Sequence, residues 1–267
     1  MASEETAPGI NPRADWRDAQ DYKPLLDLDR VGWAGEWLRR NPEFLADLRR
    51  MHCPSTRVDG GHVFECGETC RLARWGVRCC RVDGEAVFFW LPECNPLVLT
   101  VEAEPACKAD CKTDAFDCRR CPLLKSVMRM GEDGQHLLFS DGARHLQLAV
   151  ARGDALAGPV LLRCHLCGLR DFETKPLSLQ RLYRLARRGR LLKCLYPPER
   201  RAGRWLMMLR AWDGVQTGAS QREIAAALFG ERAVREDWDA GFLRTRVQRL
   251  IRGAEMLVGG GYRKLLK

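Results

Sequence analysis

The feature of this sequence that most constrains its fold is a concentration of positive charge in its last third. Residues 178–267 contain 20 Lys and Arg against 8 Asp and Glu, a net charge of +12, whereas residues 1–177 carry 24 against 27. A charge excess this dense favours a polyanionic partner, either nucleic acid or an acidic membrane face. The alternative is a well-solvated helical surface.

Length and hydropathy narrow the class of protein. A chain of 267 residues can form two to three small domains with real cores. Residues 1–12 are polar and acidic and lack the apolar segment of a secretion signal. No apolar run approaches the roughly 20 residues that a membrane span requires. We therefore expect a cytoplasmic protein with no membrane partner, whose 13 Cys are mainly thiols or metal ligands.

Caps and hydrophobic spacing divide the sequence into three consecutive domains, over residues 13–70, 71–172 and 173–267. In the first, Asp29 is predicted to cap a helix that ends before Asn41-Pro42, where a second short helix begins. The Gly- and Cys-containing residues 52–70 predict a linker or irregular loop.

The second domain is predicted to be a small antiparallel β meander. Short β-prone runs occur at residues 87–90, 97–101, 136–139, 146–150 and 160–162. The Asp141-Gly142 pair between two of these runs is typical of a hairpin turn. With short helices before the meander and a helical domain after it, the predicted fold class is α+β.

The third domain is predicted to be helical. Ser178 is expected to cap its first helix, and Pro197-Pro198 to begin the second, with Gly214 and Gly218 ending it. A stripe typical of a packed core runs along that second helix: Trp205, Met208, Leu209 and Trp212.

A short helix and a long one complete the third domain. The capping box Ser220 to Glu223 begins a helix over residues 221–228. A longer helix is predicted over about 239–258, so the pair forms a helix-turn-helix-like unit. The link over residues 229–238 exceeds the turn of a compact helix-turn-helix, unless it contains a helical turn of its own.

The outer face of the long helix suits the major groove of DNA, because Arg offers a bidentate fork to guanine and Gln offers one to adenine. The outward positions are Thr245, Gln248, Arg249 and Arg252. The expected phosphate contacts, which position a protein without specifying a sequence, are Arg244, Arg246, Arg263 and Lys264. Gln221 and Arg222 on the capped helix complete the predicted DNA-binding set. The alternative is an RNA-binding or protein-binding bundle.

Several of these stretches resemble a known family. Residues 195–201, 219–230 and 259–266 are similar to the DNA-binding domain of RovC-type transcription factors. Residues 15–18 and 37–42 resemble a transcriptional-regulator-like domain often found ahead of it. The resemblance implies sequence-specific binding of double-stranded DNA, homo-oligomerisation and no catalysis. Such proteins activate type VI secretion genes or, in relatives, genes on integrative mobile elements.

Four cysteines have the pair spacings of a structural zinc site: Cys107, Cys111, Cys118 and Cys121. The short loop between Cys111 and Cys118 argues against a two-knuckle ribbon, and the family resemblance implies no metal. Free thiols and no cofactor are therefore favoured, with structural zinc as the alternative. No Cys or His lies in a recognisable nucleophile motif, so we predict no catalytic residue.

Three functions remain in competition. The first is a sequence-specific DNA-binding regulator, which the basic helix favours. The second is an antiactivator, a protein-interaction module that sequesters another transcriptional regulator, as some relatives do. The third is a metal-dependent enzyme, which only the cysteine spacing would support.

Overall fold

The structure is a computed structural model that describes residues 15–51, 55–58, 61–65, 71–82, 85–107, 114–131 and 134–267. Its residues pack as two units. The first consists of the described part of Met1–Leu45 together with Pro197–Leu265, and the second of Ala46–Tyr196 with Leu266–Lys267. The three consecutive domains stay a prediction, because a unit defined by packing need not coincide with a sequence domain.

The helices and strands give the α+β fold class that the sequence predicts. The described helices are α1 Ala19–Tyr22, α2 Arg30–Leu38, α3 Pro42–Arg49, α4 Gly168–Arg188, α5 Ala202–Gln216, α6 Gln221–Phe229, α7 Glu231–Asp237 and α8 Phe242–Val258. The described strands are β1 Ser55–Val58, β2 Gly61–Glu65, β3 Val77–Val82, β4 Glu85–Trp90, β5 Leu99–Pro105, β6 Leu124–Arg129, β7 Gln135–Ser140, β8 His145–Arg152 and β9 Val160–Cys164.

The N-terminal helices of the first unit begin where the sequence predicts. Asp29 caps α2, since its carboxylate accepts a hydrogen bond from the Gly32 amide at 3.0 Å. The Asn41 side chain accepts from the Phe44 amide at 2.9 Å, and Pro42 occupies the first position of α3.

The core of the first unit joins helices from both ends of the chain. Trp33 of α2 and Trp205 of α5 meet edge to face with ring centroids 5.5 Å apart. Trp205, Met208 and Leu209 are buried and Trp212 is half-buried, which confirms the predicted core stripe.

The expectation that Gly214 ends α5 is wrong. Gly214 lies inside the helix, where an added Cβ would stand 3.0 Å from the Ile224 side chain and 3.2 Å from the Trp16 ring. It therefore lets α6 and the N-terminal segment approach α5 closely. Gly218, with φ +80°, follows the end of the helix.

The second unit contains a mixed sheet. Among the described residues its strand order is β1-β2-β6-β7-β8-β5-β9. The antiparallel pair β7–β8 confirms one hairpin of the predicted meander. The rest of the meander is wrong, because β2–β6 and β5–β8 are parallel and β4 pairs with β3 in a separate two-stranded sheet. The expected loop over 52–70 is wrong in part, because β1 and β2 fall within it; Phe64 of β2 is fully buried.

Helix α4 begins ten residues before its predicted N-cap. Ser178 lies inside the helix, fully buried, and its hydroxyl donates to the Leu97 carbonyl at 2.8 Å. The cap expectation is wrong because this hydroxyl satisfies a distant carbonyl rather than an amide of its own helix. Leu182 and Leu185 join the core of the sheet. No helix in the described ranges is long and apolar enough to cross a membrane.

Candidate nucleic-acid interface

Helix α8 separates an apolar face from a cationic one. It starts after Gly241, whose φ of +78° places it in the left-handed region that favours glycine. The apolar face is buried and consists of Leu243, Val247, Leu250, Ala254, Leu257 and Val258. These positions recur every three or four residues, so the remaining face is turned to solvent.

Five side chains of the predicted set are exposed along α8, namely Arg244, Thr245, Arg246, Arg249 and Arg252. Positions 245, 249 and 252 fall on one stripe, being four and three residues apart. The Thr245 hydroxyl donates to the Gly241 carbonyl at 2.9 Å, so its proton is used within the helix. In the described part of the chain, no carboxylate lies within 4.0 Å of the Arg249 or Arg252 guanidinium.

The structure brings Gln221 and Gln248 together. The Gln248 Nε2 atom donates to the Gln221 Oε1 atom at 3.3 Å, and both residues are half-buried. This hydrogen bond joins the start of α6 to the middle of α8. This bond orients the Gln248 side chain. The bond does not use the Gln248 Oε1 atom, which can accept a hydrogen bond from a ligand.

The start and the end of α6 are both fixed by side chains. At the start, the Ser220 hydroxyl accepts from the Glu223 amide at 3.2 Å and the Glu223 carboxylate accepts from the Ser220 amide at 2.8 Å. The two bonds confirm the capping box, and the Ser220 amide and hydroxyl, which both donate to the Glu223 carboxylate, lower the pKa of Glu223. At the end, the Arg246 guanidinium lies 4.3 Å from the Phe229 ring centroid. Arg222 is exposed beside Gln221.

A third helix fills the link between α6 and α8. Helix α7 follows Gly230, which has a φ of +90°, and buries Val234. The extra helical turn that the sequence allowed in this link is therefore confirmed. The unit is a succession of three helices and not a compact helix-turn-helix.

The end of α8 is held by the N-terminal segment. The Asn41 Nδ2 atom donates to the carbonyl of Val258, the last residue of α8, at 2.9 Å. Arg30 donates to the Lys264 carbonyl at 3.1 Å. The side chains of Arg263 and Lys264 are exposed on the turn that follows α8. Sequence reasoning missed Asn41, which it treated only as the end of a helix.

A buried ionic cluster also ties the N-terminal segment to α5. Asp213 accepts from Arg40 at 2.7 Å and 2.9 Å and from the Tyr22 hydroxyl at 2.7 Å. Burial opposes the charge of Arg40, but the carboxylates of Asp213 and Glu36 outweigh it and raise the pKa of Arg40. Burial and the Asp213 charge raise the pKa of Tyr22.

Arg210 of α5 connects three parts of the same unit. Its guanidinium donates to the carbonyls of Trp16 at 2.8 Å, Arg17 at 2.6 Å and Ala227 at 3.3 Å. Ala227 lies in the last turn of α6, where carbonyls lack partners within the helix. Sequence reasoning missed Arg210, which lies off the apolar stripe of α5, so no local pattern marks it for burial.

The zinc alternative at the four cysteines is not tested, because Cys111 lies outside the described residues. Cys107 is exposed, whereas Cys118 and Cys121 are buried. The Cys118 thiol donates to the Ala155 carbonyl at 2.9 Å, and burial raises its pKa to about 12. Among the described residues, no three His, Cys, Asp or Glu side chains are arranged to hold a metal ion. Structural zinc at the four cysteines stays a prediction.

Comparison with known families extends over both ends of the chain. Residues 168–267 match the family described as the DNA-binding domain of a T6SS transcription factor, the RovC type. Residues 15–80 match the family described as a proteobacterial transcriptional regulator-like domain. No curated protein matches the chain. The two family matches confirm the resemblance that the sequence motifs predict.

Proposed function

We propose that helix α8 of this transcriptional regulator reads specific DNA sequences, because residues 168–267 match the RovC-type DNA-binding domain of T6SS transcription factors. Arg249, Arg252 and Gln248 would contact base edges in the major groove. Arg244, Arg246, Arg263 and Lys264 would contact phosphates, which position the helix on the duplex. Thr245, Gln221 and Arg222 border this surface.

The observation that carries this proposal is that Arg249 and Arg252 are exposed on α8 and have no carboxylate within 4.0 Å in the described part of the chain. A guanidinium without a carboxylate partner keeps its donors for a ligand, and each bidentate pair with guanine discriminates against a wrong base by about 1–3 kcal/mol. The opposite face of α8 is buried, so the helix is presented in a fixed rotation. The Gln221–Gln248 hydrogen bond adds a preset orientation for one amide.

The test of this proposal is the affinity of the full chain for its own targets. Genome-wide mapping of binding sites would supply the duplexes, and fluorescence anisotropy would measure affinity for target and scrambled sequences. Arg249→Ala with Arg252→Ala should abolish most of the preference for the target. Arg232→Ala with Arg235→Ala on α7 is the matched control, since it removes the same charge from exposed positions. Retention of the preference by the α8 variant would show that another element reads the bases.

We further propose that the regulator activates secretion-system or mobile-element genes as a cytoplasmic homo-oligomer. The T6SS family match supports the class of target genes. A reporter fused to each mapped promoter should lose expression when the gene for this chain is deleted, and a rise would identify a repressor. Light scattering of the purified protein measures the number of copies in the oligomer.

A second candidate function is sequestration of another transcriptional regulator. Two apolar side chains at the start of α4 favour it, because Leu169 is 87% exposed and Phe172 is 62% exposed. Exposed apolar side chains close together suit a protein partner. Capture of a defined transcription factor together with an absence of any DNA shift would favour this function over the first.

A further inference from the structure

The second packing unit contains a cationic segment that the proposed recognition helix does not use. Residues 174–196 include seven Lys and Arg and no Asp or Glu. They cover most of α4 and the turn that follows it. Some of these cations are buried and stabilise the fold, and the others are exposed.

Two of the seven cations have structural roles. Arg181 donates to the Leu195 carbonyl at 3.0 Å and 2.8 Å, and its guanidinium lies 3.7 Å from the Tyr196 ring centroid. The buried Lys175 ammonium donates to the Val98 carbonyl. Both fix the chain locally and are not offered to solvent.

The other five cations are exposed and define a surface that we call the α4 basic end: Arg184, Arg187, Arg188, Arg190 and Lys193. In the described ranges, no carboxylate lies within 4.0 Å of Arg187, Arg188 or Arg190. Arg184 lies over the exposed ring of its neighbour Tyr183, 5.6 Å from the centroid.

Helix capping accounts for only part of this cluster. Cations in the last helical turn interact favourably with the helix dipole, which explains Arg187 and Arg188. Arg190 and Lys193 lie beyond Gly189, which ends the helix in a left-handed conformation with φ +63°. Arg184 lies a turn earlier. The cluster therefore holds more cations than helix capping requires. Because these cations repel one another, a bound polyanion would stabilise the cluster.

The α4 basic end is also held in place. Leu182, Leu191 and Tyr196 are buried in the hydrophobic core of the second unit, so they anchor the segment before, within and after the cluster. The Arg181 bonds to the Leu195 carbonyl fix the turn that carries Lys193. The cations therefore extend from a rigid backbone, which lowers the entropy lost on binding.

We propose that the α4 basic end is a second DNA contact, which binds phosphates of the duplex without reading bases. The proposal rests on the DNA-binding function given above and adds a contact in the second packing unit. A surface made of cations suits phosphate oxygens, and phosphate contacts contribute affinity and salt dependence rather than sequence preference.

The test compares full-length variants on target and scrambled duplexes over a range of salt concentrations. Arg187→Gln with Arg188→Gln should weaken binding to both duplexes by the same factor. It should also flatten the slope of log affinity against log salt by about 0.9 for each lost contact. The matched control is Arg119→Gln with Arg120→Gln, which removes two charges that pair with Asp117 in the same unit. The control should leave the slope unchanged.

The outcomes separate this proposal from the proposed function. If the α4 variant binds both duplexes with the wild-type affinity and slope, the α4 basic end is not a DNA contact. Loss of capture of a protein partner with unchanged DNA binding would instead assign it to an acidic protein surface and also overturn the proposal. If the wild type does not prefer target over scrambled duplex, sequence-specific reading fails. The slope on scrambled duplex then still decides whether the α4 basic end contacts phosphates.

Discussion

Arg40 and Asp213 lie 173 residues apart and form a buried ion pair through two hydrogen bonds, at 2.7 Å and 2.9 Å. Arg40 belongs to the region that matches the regulator-like family, and Asp213 to the region that matches the DNA-binding family. Parts of both matched regions therefore share one packing unit. Helices of the region that matches the DNA-binding family therefore depend on N-terminal residues for their packing.

Removing the carboxylate of this pair should destabilise the first unit strongly. Asp213→Ala leaves the Arg40 guanidinium buried without its main partner and removes the acceptor of the Tyr22 hydroxyl. Breaking a buried pair in this way costs about 3–5 kcal/mol. Urea unfolding of the full chain, followed by tryptophan fluorescence, measures the change.

The control for this prediction is an exposed pair in the same unit. Glu236→Ala breaks the contact with Arg232 on α7, and an exposed pair contributes only about 0–1 kcal/mol. A loss for Asp213→Ala no larger than that of Glu236→Ala would mean that the buried pair does not hold the N-terminal segment in place.

Asn41→Asp should destabilise the end of α8 while keeping the cap of α3. The carboxylate can still accept from the Phe44 amide, but it cannot donate to the Val258 carbonyl. It also places a negative charge at a helix C-terminus, where the dipole opposes it. We expect a loss of about 1–3 kcal/mol, measured by chemical unfolding. Asp18→Asn, which removes the charge at the cap of α1 where the carboxylate accepts from the Gln20 amide, is the comparison; equal losses would contradict the role assigned to Asn41.

The Gln221–Gln248 contact should couple α6 to base recognition. Gln221→Ala and Gln248→Ala should each reduce the preference for target over scrambled duplex, since the first removes the acceptor that orients the second. The double variant should lose less than the sum of the two, with a coupling of at least about 0.5 kcal/mol. Anisotropy titrations of the four proteins give this value, and strict additivity would show that the two amides act independently.

His136 should make the second unit sensitive to acid. Burial and the nearby Arg78 charge lower the pKa of His136 to about 4, from an ordinary value of 6.5. Its contribution to stability is therefore present above pH 6.5 and is lost as the pH falls towards 4, because the unfolded chain binds the proton first. Between pH 7 and 5 the loss is about 2 kcal/mol.

The variant His136→Gln isolates this contribution from the other titrating groups. It removes the ionisable ring next to the Gln147 amide, so the difference in unfolding free energy between wild type and variant should shrink as the pH falls. Urea midpoints at several pH values between 7 and 5 measure that difference. A difference that stays constant over this range would assign the acid sensitivity to another group.

Sequence patterns predicted those parts of the site in which the interacting residues are close together in the sequence. The capping box at Ser220 and the apolar spacing of α8 involve residues within four positions of one another, so the α6 start and the cationic stripe could be predicted. The same holds for Asp29 and for the hairpin at Asp141-Gly142, which lies between β7 and β8 as expected.

The rest depended on contacts between distant residues. Ser178 and Gly214 followed local rules for a cap and a stop, but the Leu97 carbonyl and the Ile224 side chain determine their actual roles. Hydrogen bonds to partners more than 150 residues away in the sequence are made by Arg40, Asn41 and Arg210. No periodicity in the sequence specifies such pairs.

The first unit contains residues from both ends of the sequence, so its parts are synthesised at different times. Trp33, Arg40 and Asn41 are synthesised long before their partners Trp205, Asp213 and Val258 on α5 and α8. At about 5–20 residues per second, roughly 10–40 s separate Leu45 from Val258. During that interval the second unit can fold, whereas the N-terminal tryptophans lack the helices that bury them. Nascent chains of this protein should therefore acquire DNA binding only after α8 has been synthesised.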